Sequence, residues 1–342
     1  MDMQGALRAV TQKHDLSRDE MQKVMTIIME GEATPAQIGA LLAALNMKGE
    51  TVDEIAGAAT VMRNFASRVE TAPGTIVDCV GTGGDSAALF NVSTTSTFIA
   101  AAAGARMAKH GNRAATSKSG SADLLEAAGV NITLTPEQVA RCIDTIGVGF
   151  MFAPTHHAAT RHAIGPRREI GVRSIFNLLG PLTNPAGASK LLVGVFSQQW
   201  VLPLAEVYRE LGADHVLVAS SDDGLDEISL AKPTKIAELK GGIITEYQIQ
   251  PEDFGLESIE SLDPLVVGNA EASLELVEQV LGGAPGPAAD MVALNAGATI
   301  YAADLADTLA EGVKRAQEVI RSGEGLKKLK ALAEFSQQFT QS

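Results

Sequence analysis

From residue 75 onward, short apolar runs alternate with longer runs that have helical spacing. The strand-like runs occupy residues 76–80, 148–152, 191–196 and 216–219, and another ends near residue 108. Helix-like runs such as 136–146 and 201–211 lie between them. This alternation predicts an α/β domain with a mostly parallel central sheet and helices on its faces. Apolar residues make up 46% of the chain and aromatic residues only 4%, which suits small side chains packed closely between helices and sheet.

Before residue 75 the pattern is purely helical. Ser17–Glu20 and Thr51–Glu54 are capping boxes, and Thr34 precedes a proline that suits the first helical position. Together with a first helix near 3–13, they predict helices that end near residues 31, 49 and 69. We therefore predict a small all-helical domain over 1–70 and a larger α/β domain over 75–342. In the larger domain, a glycine- and proline-rich loop at 282–287 precedes three late helical runs.

Charge and cysteine content narrow the class of protein. The formal net charge of the 342 residues is −14, and this argues against nucleic-acid binding, which needs a basic face. Cys79 and Cys142 both lie in apolar context, without a disulfide or zinc-ligand spacing. The sequence shows no apolar signal core and no apolar run of membrane-spanning length. These features predict a soluble cytoplasmic protein that binds neither nucleic acid nor membrane.

A glycine-rich loop, VGTGGDSAALFNVSTT at residues 80–95, joins a predicted strand to a predicted helix. Glycines let the backbone approach a ligand closely, and the first N–H groups of a helix favour an anion. The loop matches neither the P-loop nor the dinucleotide-binding pattern. It therefore predicts an anion site of another kind, although Asp85 places a carboxylate where a phosphate is expected.

The stretch AKHGNRAATSKSGSAD at 108–123 interleaves cations with hydroxyl groups, and it holds no acidic residue between 105 and 122. Such donors suit a phosphate-rich ligand. The alternative is a solvated basic loop beside a helix cap, which leaves the hydroxyl groups unexplained. The cations are Lys109, His110, Arg113 and Lys118, and the hydroxyls belong to Thr116, Ser117, Ser119 and Ser121.

A cluster of carboxylates follows the predicted strand at 216–219. Asp222, Asp223, Asp226 and Glu227 fall within six residues at a strand end, which is where open α/β sheets bind ligands. Clustered carboxylate oxygens favour Mg²⁺, which usually binds through one or two carboxylates together with substrate phosphates. An acidic surface turn is the alternative, and the neighbouring phosphate site favours the metal.

Residues 155–187 are rich in arginine and histidine. Arg161, Arg167, Arg168 and Arg173 are opposed only by Glu169, and an arginine here could pair with a substrate carboxylate. His156, His157 and His162 lack a cysteine or carboxylate at metal-ligand spacing, so structural or helix-terminal roles are favoured. The run at 179–185 reads as a rigid turn, and its alternative role is a plain connector.

Five of these stretches, in this order and at this spacing, resemble the anthranilate phosphoribosyltransferases. They are the glycine loop at 80–85, the run at 91–94, the basic stretch at 109–121, the run FNLLGPLTNP at 176–185 and DGLDE at 223–227. The resemblance spans nearly the whole chain. It implies a nucleoside-phosphorylase-like fold, in which helices near 165–185 join the N-terminal helices, and a homodimer that forms through the helical domain.

The resemblance also implies a reaction and its residues. Phosphoribosyl pyrophosphate would donate its phosphoribosyl group to the amine of anthranilate in the second step of tryptophan biosynthesis from chorismate, with two Mg²⁺ ions and no dedicated general base. Anthranilate would contact Gly81, Asn112 and Arg167. The metal would be held by Ser93, Asp226 and Glu227. Phosphoribosyl pyrophosphate would contact Gly81, Gly84, Asp85, Asn91, Val92, Ser93, Thr94, Lys109, His110, Gly111, Asn112, Arg113, Ala114, Ala115, Thr116, Ser117 and Ser121.

Three alternatives remain open at the level of sequence. A pyrimidine nucleoside phosphorylase lacks the Asn112 and 179–185 patterns, and a nucleic-acid-binding relative would be basic and would lose the pair Asp226-Glu227. A transferase for a related aromatic acid is least distinguished, because one arginine binds any carboxylate. One departure from the family pattern is Leu89, which stands where a threonine is usual. We expect an altered contact to phosphoribosyl pyrophosphate there, or else a leucine that packs under the loop.

Overall fold

The computed structural model describes residues 1–84, 87–114 and 118–341. The chain begins with four helices, α1 (Met3–Thr11), α2 (Arg18–Met29), α3 (Pro35–Lys48) and α4 (Val52–Phe65). The predicted capping boxes form at Ser17 with Glu20 and at Thr51 with Glu54. Thr34, predicted as an N-cap before a proline, also forms a capping box, with Gln37. The apolar faces of α2, α3 and α4 are buried and form the core of this helical unit.

Helix α4 ends earlier than its sequence pattern predicts. It stops at Phe65 instead of near residue 69, because Ala66 turns to an extended conformation with φ −72° and ψ 143°. The chain is then held by tertiary bonds, since the N–H of Ser67 donates to the carbonyl of His156 over 2.8 Å and the N–H of Val69 to that of Pro185 over 3.1 Å. Partners that are distant in sequence therefore set this boundary.

Seven strands form one sheet in the order β3-β2-β1-β4-β5-β6-β7. The pairs from β3 to β5 are parallel, and β6 and β7 add an antiparallel hairpin at the edge. This arrangement confirms the predicted fold class. The strands are β1 (Val77–Gly81), β2 (Met107–Gly111), β3 (Val148–Phe152), β4 (Lys190–Gly194), β5 (His215–Ser221), β6 (Thr234–Lys240) and β7 (Ile243–Ile249).

The edge hairpin is not among the strands predicted from sequence. Gly241 and Gly242, with φ of 57° and 82°, form the two-residue turn, and such turns match the twist of antiparallel strands. Strand β7 is mostly exposed and carries polar residues. Because it lacks a continuous apolar run, the periodicity that reveals the buried strands gives no signal here.

Helices cover both faces of the sheet and complete the domain. Helix α13 is the most buried of them, and it meets α14 where Gly297 and Gly312 face each other. A Cβ atom at Gly312 would lie 2.3 Å from the Gly297 carbonyl oxygen, so the close crossing requires both glycines. The remaining helices are α5 (Val92–Ala102), α6 (Ser121–Ala127), α7 (Pro136–Ile146), α8 (Ala153–His156), α9 (Arg161–Ile170), α10 (Phe176–Leu179), α11 (Val201–Glu210), α12 (Ala270–Leu281), α13 (Pro287–Ala302), α14 (Leu309–Ser322) and α15 (Glu324–Gln337).

Residues 161–179 return to the N-terminal helices. Helix α9 packs against α3, and α10 packs against α4. The side-chain amide of Asn46 donates to the carbonyl of Arg173 over 3.0 Å. Arg18 on α2 pairs with Glu210 on α11 at 3.4 Å, which links the helical unit to the sheet domain. Among the residues described, no helix is both long and apolar enough to cross a membrane.

Candidate functional site

The carboxyl ends of β1, β2 and β5 bring three of the predicted motifs to one edge of the sheet. Gly83 and Gly84 follow β1 with φ of 67° and 85°, a conformation that favours glycine. The basic stretch follows β2, and the acidic loop follows β5. Open α/β sheets bind ligands at this edge. The topology therefore gathers the glycine loop, the cations and the carboxylates around one cleft.

Two glycines on neighbouring strands make room for the acidic loop. Gly81 of β1 pairs in register with Gly194 of β4. A Cβ atom at Gly81 would lie 2.2 Å from Asp226 Oδ2, and one at Gly194 would lie 1.5 Å from the Asp226 carbonyl oxygen. Both positions need glycine so that Asp226 can lie over the strand ends. From there its Oδ2 accepts a bond of 2.6 Å from the N–H of Gly83.

The four carboxylates of the acidic loop have different surroundings. Asp222 is exposed and accepts a bond of 2.6 Å from Gln198. Asp223 accepts bonds from Ser221 and Ser229 of its own loop. Asp226 and Glu227 instead reach the glycine loop and the start of α5, respectively. These two are also the pair that the family resemblance implies as metal ligands.

The amino end of α5 points into the same cleft. Its N-cap, Asn91, makes no side-chain cap bond, and the N–H of Ser93 donates to Glu227 Oε1 over 3.2 Å. The Asn91 side chain is held elsewhere, because its Oδ1 accepts bonds of 2.8 Å from both Ser119 and Ser273. The side chains of Val92 and Thr94, at 2% and 1% exposure, lie in the core. At this helix end the Ser93 hydroxyl lies near Lys109, while the N–H groups of Val92 and Ser93 donate to Phe90 and Glu227.

Lys109 joins three of the motifs. Its side chain is buried, and its Nζ donates to the carbonyl of Cys79 over 2.7 Å. The same Nζ lies 3.5 Å from Ser93 Oγ at the start of α5. The ammonium group is therefore fixed between the glycine-loop strand and the helix end, where it favours an anionic ligand.

Gly111 and Asn112, at the end of β2 and just after it, lie close to Ser121 at the start of α6. A Cβ atom at Gly111 would lie 2.1 Å from Ser121 Oγ, so glycine is required for this contact. Ser121 Oγ donates to the carbonyl of Asn112 over 3.3 Å, and Asn112 Oδ1 accepts the N–H of Arg113 over 2.8 Å. The N–H of Ala114 donates to Asp123 Oδ2 over 2.9 Å.

The Arg113 guanidinium is directed at acidic residues of α6. It lies 3.0 Å from Asp123 and 2.8 Å from Glu126. The hydrogen bonds that the Arg113 guanidinium donates to Glu126 and Asp123 raise its pKa. Both carboxylates come just after the acid-free window that suggested a phosphate role. The role of Arg113 in phosphate binding stays a prediction. To bind a phosphate, the Arg113 guanidinium would have to leave Asp123 and Glu126.

Three buried histidines line the inner side of the site. Burial lowers the pKa of His110, and the nearby imidazoles of His157 and His156 lower it further. The pKa of His157 falls to about 4, chiefly through burial. The rings of His110 and His157 are 5.0 Å apart. All three are therefore neutral near pH 7. Among the residues described, no cluster of histidine, cysteine or carboxylate side chains is arranged to hold a metal by itself.

Two arginines, Arg167 of α9 and Arg173 just after it, stack on aromatic rings, and Arg173 also contacts the glycine loop. Arg167 is half-buried, its guanidinium lies 4.9 Å from the centre of the Phe176 ring, and burial lowers its pKa. Arg173 lies 4.1 Å from the centre of the Phe196 ring and donates to the carbonyl of Gly84. Sequence reasoning did not assign Arg173 to the glycine loop, because the two are 89 positions apart.

Leu89 is part of a short pairing that anchors the far end of the glycine loop. It forms an isolated antiparallel bridge with Val266, and the N–H of Phe90 donates to the carbonyl of Leu265 over 2.9 Å. Its side chain is half-buried against the core. This arrangement favours the packing role for Leu89. Four of the predicted contacts, Asp85, Ala115, Thr116 and Ser117, lie outside the described residues.

Comparison with known families defines the class first. Residues 4–66 match the helical bundle domain of the glycosyl transferase family, and residues 73–326 match its a/b domain. The chain thus has the two domains of this glycosyl transferase family.

Individual relatives define the family. The anthranilate phosphoribosyltransferase of Thioalkalivibrio sulfidiphilus is 58% identical over 336 residues, which are 98% of this chain and 99% of that protein. The crystal structure of the Thermus thermophilus enzyme of the same name is 43% identical, with a TM-score of 0.92 over 97% of this chain and 99% of the other. The Saccharomyces cerevisiae enzyme in complex with PRPP and Mg shares the fold, at 24% identity and a TM-score of 0.89 over 98% of both chains. The chain belongs to the anthranilate phosphoribosyltransferase family, and this confirms the family predicted from the five motifs.

Proposed function

We propose that this chain transfers the phosphoribosyl group of phosphoribosyl pyrophosphate to the amine of anthranilate and releases pyrophosphate. This is the second step of tryptophan biosynthesis from chorismate. The observation that carries the proposal is the meeting of Lys109, the amino end of α5 and the pair Asp226-Glu227 at one edge of the sheet. The relatives that cover nearly the whole chain carry the name of this activity.

The cleft offers phosphoribosyl pyrophosphate the donors that an anion needs. The Lys109 ammonium, the N–H groups at the start of α5 and the glycine backbone after β1 point to one region. We assign the pyrophosphate to Gly84 and the residues near Ser93, and the remaining phosphate to the run after Lys109. The predicted contacts within 91–94, 109–114 and at Ser121 keep these roles in the proposal.

The donor set fits Mg²⁺ that arrives with its substrate. Asp226, Glu227 and Ser93 offer hard oxygen ligands, and among the described residues no three histidine, cysteine or carboxylate side chains are grouped to hold a metal ion. Mg²⁺ is commonly held by one or two carboxylates and by substrate phosphates. We propose that these residues hold Mg²⁺, and that two ions bind. The metal would neutralise charge on the departing pyrophosphate.

We assign the anthranilate carboxylate to Arg167. Its guanidinium is half-buried beside Phe176, so a carboxylate paired with it is shielded from solvent. A planar guanidinium matches a carboxylate with two parallel bonds. Gly81 and Asn112 complete the contacts that we propose for this substrate.

The protein has little covalent chemistry to perform. The aromatic amine is already a usable nucleophile, so no general base is assigned, and the neutral histidines need not act as one. Ribosyl transfer passes through an oxocarbenium-like transition state, as glycoside hydrolysis does. The residues therefore align the amine with the ribose carbon, and Lys109 together with the α5 N–H groups stabilises the leaving charge. Closure of the helical unit over the sheet edge would exclude water that competes for that carbon.

We further propose that the chain is a cytoplasmic homodimer that associates through its helical domain. Exposed apolar side chains in or next to the helical unit support an association surface, because Met47 is 83% exposed and Val172 is 54% exposed. Analytical ultracentrifugation should give twice the mass of 35.6 kDa. A single species of one chain mass at micromolar concentration would contradict the dimer, and cell fractionation tests the location.

The reaction is tested by identifying its products. Purified protein, anthranilate, phosphoribosyl pyrophosphate and Mg²⁺ should yield an N-linked phosphoribosyl anthranilate by mass spectrometry, with one pyrophosphate released for each adduct. Benzoate, which keeps the carboxylate but lacks the amine, should give no adduct. Aminobenzoates with the amine in other positions measure selectivity for anthranilate. If the protein is folded and no adduct forms with anthranilate, the proposed function is wrong.

A further inference from the structure

The central strands β1 and β2 are neighbours in the sheet, but among the residues described they share a single ladder pair. Strand β1 pairs with β4 over five residue pairs, from Val77 to Gly81. Among the residues described, β1 pairs with β2 only through Val77 and Met107, where the N–H of Val77 donates to the carbonyl of Arg106 over 3.0 Å. Backbone groups on the facing edges of these strands therefore need partners that the other strand does not supply.

Side chains supply those partners. Asp78 Oδ1 accepts the N–H of Cys79 over 2.8 Å and the N–H of His110 over 3.4 Å. Asn184 Nδ2 donates both to Asp78 Oδ2 over 2.7 Å and to the carbonyl of Ala108 over 2.8 Å. Lys109 Nζ completes the set through its bond to the carbonyl of Cys79. Side-chain bonds thus take the place of ladder hydrogen bonds between β1 and β2, and they come from Asp78, Lys109 and Asn184.

Burying a carboxylate between β1 and β2 is unfavourable in free energy. Asp78 is 0% exposed, and burial raises its pKa to about 6, against the opposing effects of Lys109 and of its hydrogen bonds. A buried carboxylate persists only where it is paired and fully bonded. Asp78 accepts bonds from three donors, and the Lys109 charge favours its ionised form. The run at 179–185, which the sequence predicts to be a rigid turn, provides the third donor through Asn184.

We propose that Asp78, held by Asn184, is a positioning residue for phosphoribosyl pyrophosphate binding. Asp78 accepts the backbone N–H of His110, which follows Lys109 on β2. By fixing this backbone, Asp78 holds the Lys109 ammonium group beside Ser93. This inference rests on the proposed function, because Lys109 matters here as a ligand of the leaving pyrophosphate. Asp78 itself contacts neither substrate.

Asn184 connects this arrangement to the rest of the molecule. The segment that carries it is held by Arg63 of α4, whose Nε donates to the carbonyl of Leu182 over 2.6 Å. It is also held by Tyr208 of α11, whose hydroxyl donates to the carbonyl of Pro181 over 2.8 Å. The position of Lys109 thereby depends on contacts from both the helical unit and the sheet domain.

The substitution Asp78→Asn separates positioning from simple electrostatics. It keeps the shape, but it removes the charge and sets an amide against the Asn184 amide. Coulomb attraction alone predicts tighter binding of an anionic substrate, because a nearby negative charge is lost. Positioning predicts the opposite, with the Kd of phosphoribosyl pyrophosphate, measured by calorimetry in Mg²⁺, raised about tenfold or more. The KM for anthranilate should stay within about twofold of the parent value.

The helical unit offers a matched control. Glu54 is also 0% exposed, accepts bonds from two backbone N–H groups and pairs with a lysine, Lys48. Glu54→Gln removes an equivalent buried charge far from the cleft, and it should leave both substrate constants unchanged. A loss of affinity in both variants would identify a general effect of destabilisation and overturn the positioning role.

A second variant keeps the test decisive if Asp78→Asn does not fold. Asn184→Ala leaves the Asp78 carboxylate with its two backbone donors, and it should weaken phosphoribosyl pyrophosphate binding severalfold while anthranilate is unaffected. An unchanged or tighter Kd in the folded variants would overturn the inference. An inactive parent protein would instead overturn the proposed function, so the two failures are distinguishable.

Discussion

Gly194→Ala tests the arrangement of the acidic loop. The new Cβ atom would lie 1.5 Å from the carbonyl oxygen and 2.3 Å from the carbonyl carbon of Asp226. Ordinary contacts need about 3.5 Å or more, so the Asp226 backbone must retreat by roughly 2 Å. Backbone cannot rotate away as a flexible side chain can. Overpacking of this kind costs about 1–3 kcal/mol of unfolding free energy.

The displacement should also be visible in metal dependence. If Asp226 moves by about that distance, its bond to the N–H of Gly83 breaks and its carboxylate no longer shares a site with Glu227. We expect the Mg²⁺ concentration for half-maximal activity to rise about tenfold, which corresponds to about 1.4 kcal/mol. The assay is a Mg²⁺ titration at saturating phosphoribosyl pyrophosphate, together with urea unfolding.

Gly268→Ala is the matched control, because a Cβ atom there meets nothing within 4 Å and the φ of Gly268 is not positive. Its unfolding free energy should lie within about 0.5 kcal/mol of the parent value. If Gly194→Ala resembles this control in both stability and Mg²⁺ dependence, the packing of Asp226 against β4 does not hold the metal site.

Other substitutions test separate parts of the site. Arg167→Ala should raise the KM for anthranilate about tenfold or more through a lost charged hydrogen bond, and equal effects on both substrates would reassign this arginine. Asp226→Asn combined with Glu227→Gln should lose most activity and weaken the Mg²⁺ dependence with the fold intact, whereas a titration that overlays the parent's would make these carboxylates a surface turn. Leu89→Thr should lower the thermal midpoint and raise the KM for phosphoribosyl pyrophosphate together, because the leucine packs against the core; a lower KM at unchanged stability would restore the hydrogen-bond interpretation. The pKa of His157 is about 4 when folded, so the unfolded chain binds more protons between pH 6.5 and 4 and stability should fall as pH falls through this window; His157→Gln should flatten that dependence, and an unchanged slope would contradict the buried neutral ring.

Local patterns were sufficient to predict most of the helices and the buried strands. Helix α7 begins and ends where the sequence predicts, because Thr135 and Pro136 define its start and Gly147, in the left-handed conformation, terminates it. Helix α4 and strand β7 were not predicted correctly, since tertiary bonds end the first and the second is an exposed edge strand. Periodicity records burial on one face, and it carries little information where neither face is buried.

The candidate site shows the same division. The glycine loop, the basic stretch and the acidic loop were identified from residue types within short windows. The contacts of Asp78 and Arg173 were not identified, because each side chain bonds to residues that are distant in sequence. In the sequence Asp78 is one polar residue in an apolar strand, and its bonds to His110 and Asn184 are visible only in the tertiary structure. For Arg113 the error came from a window that was too short. Its partners Asp123 and Glu126 lie just after residues 105–122, the stretch without acidic residues.

The most direct test of the central claim follows the fluorescence of anthranilate. Purified protein is mixed with anthranilate and phosphoribosyl pyrophosphate, and Mg²⁺ is first removed with a chelator and then restored in excess. Our account predicts no loss of fluorescence without the metal and a prompt loss once it returns, with none at any stage when phosphoribosyl pyrophosphate is omitted. Folded protein that leaves the fluorescence unchanged after Mg²⁺ is restored would contradict it.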